Sequence, residues 1–174
     1  MNNLEHKLSV LAPISGQIVA LEQVPDPVFS GKTLGDGIAI IPENGKIYSP
    51  VDGTVTTISS TLHAYGFTTP EGVEILVHVG LETVSLKGEG FKVHIKEGSI
   101  VKKGELIAEV DLAYLDQKGI STISPVLICG GAENFTLYTT NGKASAGKTQ
   151  ILTLTKETST VSSKNDTMTT NKEK

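Results

Sequence analysis

Two imidazoles set fifteen residues apart are the side chains of this chain best suited to chemistry. His78 stands in the apolar phrase GVEILVHVGLETV at 72–84, with Gly80 two residues on; His63 lies upstream in STLHAYG. A free imidazole titrates at about pH 6.5, so near neutrality one ring nitrogen carries an available lone pair. That nitrogen can attack an electrophile while the other donates a hydrogen bond that fixes the tautomer. Ile75, Leu76, Val77 and Val79 would pack around His78, and Gly80 would let a backbone carbonyl approach its non-attacking nitrogen. His63 would be the helper, donating to a phosphoryl oxygen where charge develops. Thr61, two residues earlier, would share its face in a regular strand, and its hydroxyl could orient either ring.

The remaining candidates carry less. A histidine on an apolar strand, taken alone, is more often a packed structural residue. His6 sits in a polar N-terminus, and His94 in KVHIK reads as a solvent-facing strand residue. Two histidines with an acidic third ligand could hold zinc, but no H-x-H or H-E-x-x-H spacing is present, so a dedicated metal site is not expected. Cys129, the one cysteine, reads as a small buried hydrophobe, and a lone thiol fits a reducing compartment.

The elements that must position the histidines are strands. From Val10 to about Leu154 the chain is dense in Val, Ile and Thr, with Gly or Pro every several residues. GQIVAL, GIAIIP, KIYSP, GTVTTI, VEILVHV, LIAEV, TISPVLIC and TQILTL read as strands. Asp36-Gly37, Asn44-Gly45, Asp52-Gly53, Gly130-Gly131 and Asn141-Gly142 read as turns. Leu112 to Lys118 could form a helical turn or two. The predicted class is all-β, antiparallel or mixed, as a sandwich or barrel-like closed sheet. APISGQIVAL (12–21) and SPVDGTVTTI (49–58) echo each other, which suggests a sheet built by duplication. Residues 1–9 read as a flexible N-terminus, 10–155 as one domain, and 156–174, almost without large apolar residues, as a disordered tail.

Composition excludes several classes. The net charge is −4 and there is no arginine, which argues against a nucleic-acid stripe and against a bidentate phosphate clamp within the chain. No apolar run approaches the ~20 residues that span a bilayer, so stable membrane insertion is not expected and the cytoplasm is the expected location.

The run from Gly72 through Ile75-Leu76-Val77-His78-Val79-Gly80-Leu81 to Thr83-Val84 resembles the phosphorylation-site pattern of the glucose-type IIA component of the bacterial phosphoenolpyruvate-dependent sugar phosphotransferase system. VPDPVFSGKTLGDGIAI, SPVDGTVTTI and LKGEGFK extend the resemblance over roughly Val10 to Leu154. It implies an antiparallel β-sandwich of the duplicated hybrid kind. It implies that His78 accepts a phosphoryl group on Nε2 from the phosphocarrier HPr and passes it to a cysteine on the IIB domain of a sugar permease. His63 would stabilise the group in transfer, Thr61 would orient a histidine, and Gly80 would give backbone support. Val28, Phe29, Leu34, Leu76 and Val84 would form an apolar docking ring, with Asp26 and Glu82 on an acidic rim. No resident cofactor is implied. Zinc would be adventitious or bridged to a partner, and regulatory target proteins would be further partners. The chain departs from the family at Ser59-Ser60, where an aromatic often precedes the threonine, and at Pro27, where an aliphatic residue is common.

Two rival readings remain open at this level. VKKGELIAEV resembles hairpins of biotin- and lipoyl-carrier domains, but no Met-Lys-Met or Asp-Lys-Ala is present. A zinc peptidase on a related hybrid fold would need a third convergent ligand and a general base.

Overall fold

Short runs rich in Val, Ile and Thr, cut by Gly and Pro, fold into fourteen strands of two to ten residues among the described residues. The structure is a computed structural model that describes residues 3–159. The strands are β1 (Asn3–Leu11), β2 (Gly16–Ala20), β3 (Asp36–Pro42), β4 (Lys46–Tyr48) and β5 (Gly53–Ile58). β6 (Ala64–Thr68), β7 (Glu74–His78), β8 (Phe91–Val93), β9 (Ile100–Val101) and β10 (Leu106–Val110) follow. β11 (Ser124–Gly130), β12 (Thr136–Thr139), β13 (Gly142–Ala144) and β14 (Gln150–Ser159) complete the set. A one-turn helix α1 (Pro27–Ser30) and the short α2 (Leu112–Gln117) interrupt them.

The large sheet runs β13-β2-β3-β11-β7-β6-β5-β9, and two three-stranded sheets, β1-β14-β12 and β4-β10-β8, accompany it. Every recorded pairing is antiparallel. One shared core joins the three sheets, with Ile40, Phe67, Ile75 and Val77 from the large sheet and Ile47, Ile107, Ile151 and Leu152 from the small ones. The result is the antiparallel β-sandwich that the sequence predicts.

The duplication is visible in the hydrogen bonding. Leu11 N–H donates to Pro50 O at 2.9 Å, and its counterpart Tyr48 N–H donates to Pro13 O at 2.8 Å. Ala12 N–H reaches Thr149 O and Ser49 N–H reaches Glu105 O, both at 2.8 Å. The SAGKTQIL segment therefore mirrors VKKGELIA, a repeat too diverged to read in one chain. Around the central β11-β7 pair, β2-β3 with edge strand β13 matches β5-β6 with edge strand β9.

Several expectations are corrected. Residues 3–9, expected to lie outside the domain, form most of β1, which pairs with β14 from Asn3↔Ser159 onward. The physical cause is an alternation that buries Leu8 and Val10 in the core. β14 also runs to Ser159, past the expected boundary at 155; the expected tail beyond it lies outside the described residues. Asp36-Gly37 is no turn: both belong to β3, and a Cβ on Gly37 would meet Val126 O at 2.0 Å. Glycine there serves close approach to β11. Cys129 is exposed, because β11 buries Ile128 inward and turns Cys129 outward beside a bulge. α2 forms where expected, capped by the Asp111 carboxylate, which accepts from Tyr114 N–H.

Removal of residues 1–10 tests the N-terminal strand. Losing the burial of Leu8 and Val10 and exposing the β14 edge should cost about 3 kcal/mol or more. Thermal unfolding reads this as a fall in Tm of roughly 6 °C or more. An unchanged Tm would show that β1 contributes nothing.

Candidate functional site

β7 is fully buried on one face and half-buried on the other, where Leu76 and His78 follow an exposed Glu74. Ile75 and Val77 enter the main core. Leu76 turns to the opposite face and packs on a second cluster of Leu21, Val24, Phe29, Ala39, Leu81 and Leu127. By strand alternation His78 follows Leu76 onto that outer face, at the end of β7. Phe29, itself 4% exposed, lies with its ring centroid 5.0 Å from that of His78.

Beyond His78 the backbone turns sharply. Gly80 has φ +77°, and a Cβ there would sit 2.8 Å from both Ser121 O and Thr83 Oγ1. Only glycine takes this corner without strain. The turn brings Gly80 O within 2.8 Å of His78 Nδ1. A carbonyl only accepts, so Nδ1 carries the proton and the neutral ring keeps its lone pair on Nε2. Three contacts brace the corner: Thr83 Oγ1 donates to Val79 O at 2.5 Å, Gly80 N–H to Ser124 Oγ at 3.3 Å, and Leu81 N–H to Ser121 O at 3.0 Å. Thr83 and Ser124 are fully buried. The sequence reading gave neither a role, and two hydroxyl residues flanking an apolar histidine strand are the signal that could have found them.

His63 sits beside His78. Val79 N–H donates to His63 O at 2.8 Å, and the two rings meet edge to face with centroids 4.8 Å apart. Thr61 Oγ1 lies 2.9 Å from His63 Nδ1. The expected contact is present, but not through strand alternation: 59–63 is a turn, with Leu62 at φ 66°, and β6 begins only at Ala64. Ser59 shapes that turn. Its Oγ accepts from His63 N–H and Ala64 N–H, both at 3.1 Å.

Burial is the main cause that lowers the His78 pKa, and the neighbouring His63 adds to it; Gly80 O and Asp26 oppose, leaving it at about 4. Burial also lowers the His63 pKa, against the pull of the Thr61 backbone. Both imidazoles are therefore neutral at pH 7. Among the described residues no group of three or more His, Cys, Asp or Glu side chains gathers as a metal would need, so the pair finds no third zinc ligand there.

The residues expected to form a docking ring divide by exposure. Val28, Leu34 and Val84 are exposed at 44%, 43% and 57%. Phe29 is buried and Leu76 is partly buried in the second cluster, so these two support the surface more than they present it. Glu82 is exposed and opens the turn Thr83–Leu86. Asp26 is half-buried and caps α1, its carboxylate accepting from Val28 N–H at 3.0 Å. Pro27 occupies the first turn of that helix, where its missing N–H costs nothing. His94, expected on a strand, lies just past β8 and bonds the Glu109 carboxylate at 2.8 Å.

Fold and site together define a class: a β-sandwich with paired neutral imidazoles on its outer face, able to carry a group on a ring nitrogen. Residues 8–134 match the model of the phosphoenolpyruvate-dependent sugar phosphotransferase system, EIIA 1. A glucose-specific EIIA component of Bacillus cereus is 43% identical over 148 residues, covering 84% of this chain and 90% of that protein. The glucosamine-specific EIICBA component of Bacillus subtilis is 49% identical over 121 residues, 70% of this chain and 19% of the larger protein. The solved glucose permease IIA of Mycoplasma capricolum superposes with a TM-score of 0.80 at 37% identity, covering 85% of this chain and 96% of that one. The chain belongs to the EIIA family of the sugar phosphotransferase system and is a phosphocarrier of that system.

Two outcomes follow from the geometry. Gly80→Ala forces a side chain into the left-handed corner, and should cost about 2 kcal/mol in stability and move the carbonyl that holds His78. Chemical denaturation measures this; a midpoint equal to that of the native sequence contradicts it. The second concerns pH. The folded His78 pKa lies below its unfolded value of 6.5, so the unfolded chain binds the extra proton between pH 6.5 and about 4. Stability should therefore fall as pH drops through that window, by on the order of 3 kcal/mol from this residue, and flatten below it. His78→Asn should remove that share of the slope.

Proposed function

We propose that Nε2 of His78 is the atom that carries the phosphoryl group. The observation that supports this best is the Nδ1···Gly80 O contact, which leaves the Nε2 lone pair free on a neutral ring. The phosphorus–nitrogen bond of phospho-HPr breaks as the bond from phosphorus to Nε2 forms. No proton need leave His78, since Nδ1–H stays on the Gly80 carbonyl. In the onward step that bond breaks as phosphorus joins a cysteine sulfur on a IIB domain. A cysteine thiolate is the nucleophile there.

His63 is the helper, donating from Nε2 to a phosphoryl oxygen, with Thr61 holding the far side of its ring. The incoming dianion favours proton uptake by His63, and an imidazolium beside the phosphoryl group eases its departure. Val28, Leu34 and Val84 form the exposed apolar contact, with Glu82 on its rim to attract a basic partner face. The relatives' names point to a glucose- or glucosamine-type permease as the recipient, and the EIICBA name places an A part in one chain with B and C parts. Regulatory targets would meet the same face, which gains negative charge on phosphorylation. No resident metal takes part, and zinc would enter only at a partner interface. No helix among the described residues is long and apolar enough to cross a membrane, and the proposed place of action is the cytoplasm.

The test uses phosphoenolpyruvate, the first enzyme of the system and HPr. Intact mass should show one acid-labile phosphoryl group, mapping to His78. His78→Ala should lose uptake altogether. His63→Gln should still accept the group, since its amide can donate, but transfer to IIB should fall by at least about 100-fold. Onward transfer by His63→Gln at the normal rate would refute the helper role.

A further inference from the structure

The serine that stands where the family often has an aromatic is bonded in a way that limits what it can do. Ser59 Oγ accepts two backbone N–H groups, from His63 and Ala64, both at 3.1 Å. A hydroxyl oxygen has two lone pairs, so both are taken. Its own proton remains, and among the described residues its further recorded partner is His63 Nδ1, at 3.5 Å. A hydroxyl with filled acceptor sites cannot receive a proton from Nδ1–H. It can only donate toward a bare Nδ1.

We propose that Ser59 is a positioning residue that, together with Thr61, holds His63 in the tautomer protonated at Nε2. This rests on the proposed role of His63. Thr61 Oγ1 is nearer, at 2.9 Å, but a hydroxyl that can either give or take does not choose a tautomer by itself. Ser59 breaks the tie. Its contact is long, so it acts as a bias between two nearly balanced forms rather than as a strong bond.

The surrounding turn is built to keep the hydroxyl there. Ser59 N–H donates to Ala64 O at 2.9 Å, and Leu62 N–H donates to Ser59 O at 2.9 Å. Leu62 holds a left-handed backbone, and the buried Tyr65 donates its hydroxyl to Leu62 O at 2.5 Å. The chemical consequence is direct. With the proton on Nε2, His63 offers a donor to a phosphoryl oxygen on His78. With the proton on Nδ1, it would turn a lone pair toward a dianion.

The experiment is 15N NMR of histidine-labelled protein at pH 7, in the native sequence and in Ser59→Ala and Ser59→Thr, with onward transfer to IIB measured in parallel. In the native protein His63 should be protonated at Nε2. In S59A the Nε2–H fraction should fall from nearly all to about half, and onward transfer by a matching factor of about two. S59T, which keeps the hydroxyl, should restore both. His63 found protonated at Nδ1 in the native protein overturns the proposal, whatever the variants do. So does an unchanged tautomer in S59A, or a shift in S59A that S59T fails to reverse. His63→Gln separates the two claims: if it passes the group at the normal rate, the helper role fails while the tautomer measurement still decides the case of Ser59.

Discussion

The hydrogen bond from His78 Nδ1–H to Gly80 O is the constraint on which the site depends. It spans only two residues, so it exists only if the chain reverses at once after β7. That reversal needs a left-handed glycine, and the glycine needs neighbours that hold it. Thr83 supplies one hydroxyl and Ser124, at the start of β11, accepts from the Gly80 amide. The reactive ring is thus fixed by a strand paired with its own strand, because β11 lies beside β7 at the centre of the large sheet.

That central position also sets the charge state. Partial burial of the ring at the end of β7 disfavours imidazolium. Placing a second imidazole beside the first strengthens the effect, since two cations at this separation would repel. The protein therefore keeps the His78 ring neutral well below pH 7. The cost falls on stability in acid.

Much of this was legible in the chain. The all-β class and both candidate histidines follow from local pattern (β-branched runs, turn residues, an imidazole in an apolar run), while the antiparallel sandwich followed from the family resemblance. The duplication was half legible, for the two Pro-x-x-Gly hairpins match but the ASAGKTQIL and VKKGELIAEV segments have diverged in all but their glycine. What escaped were features made by tertiary contact. β6 was missed because Ala64 and Gly66 have little strand preference, and the β1 strand because its alternation is interrupted by polar residues. Strand alternation left open which ring Thr61 meets, and the contact to His63 comes instead from a turn at 59–63 shaped by Ser59, whose two accepted bonds no spacing rule shows. Phe29 and Leu76 belong to the floor of the site rather than its rim because a second apolar cluster lies under the outer face.

The most direct measurement is the regiochemistry of the phosphorylated protein. With 15N-labelled histidine and phosphoryl transfer from phospho-HPr, the coupling between phosphorus and nitrogen identifies the bonded atom. The account requires the phosphorus on Nε2 of residue 78, with a proton still on Nδ1. Phosphorus on Nδ1, or on any other side chain, would contradict it.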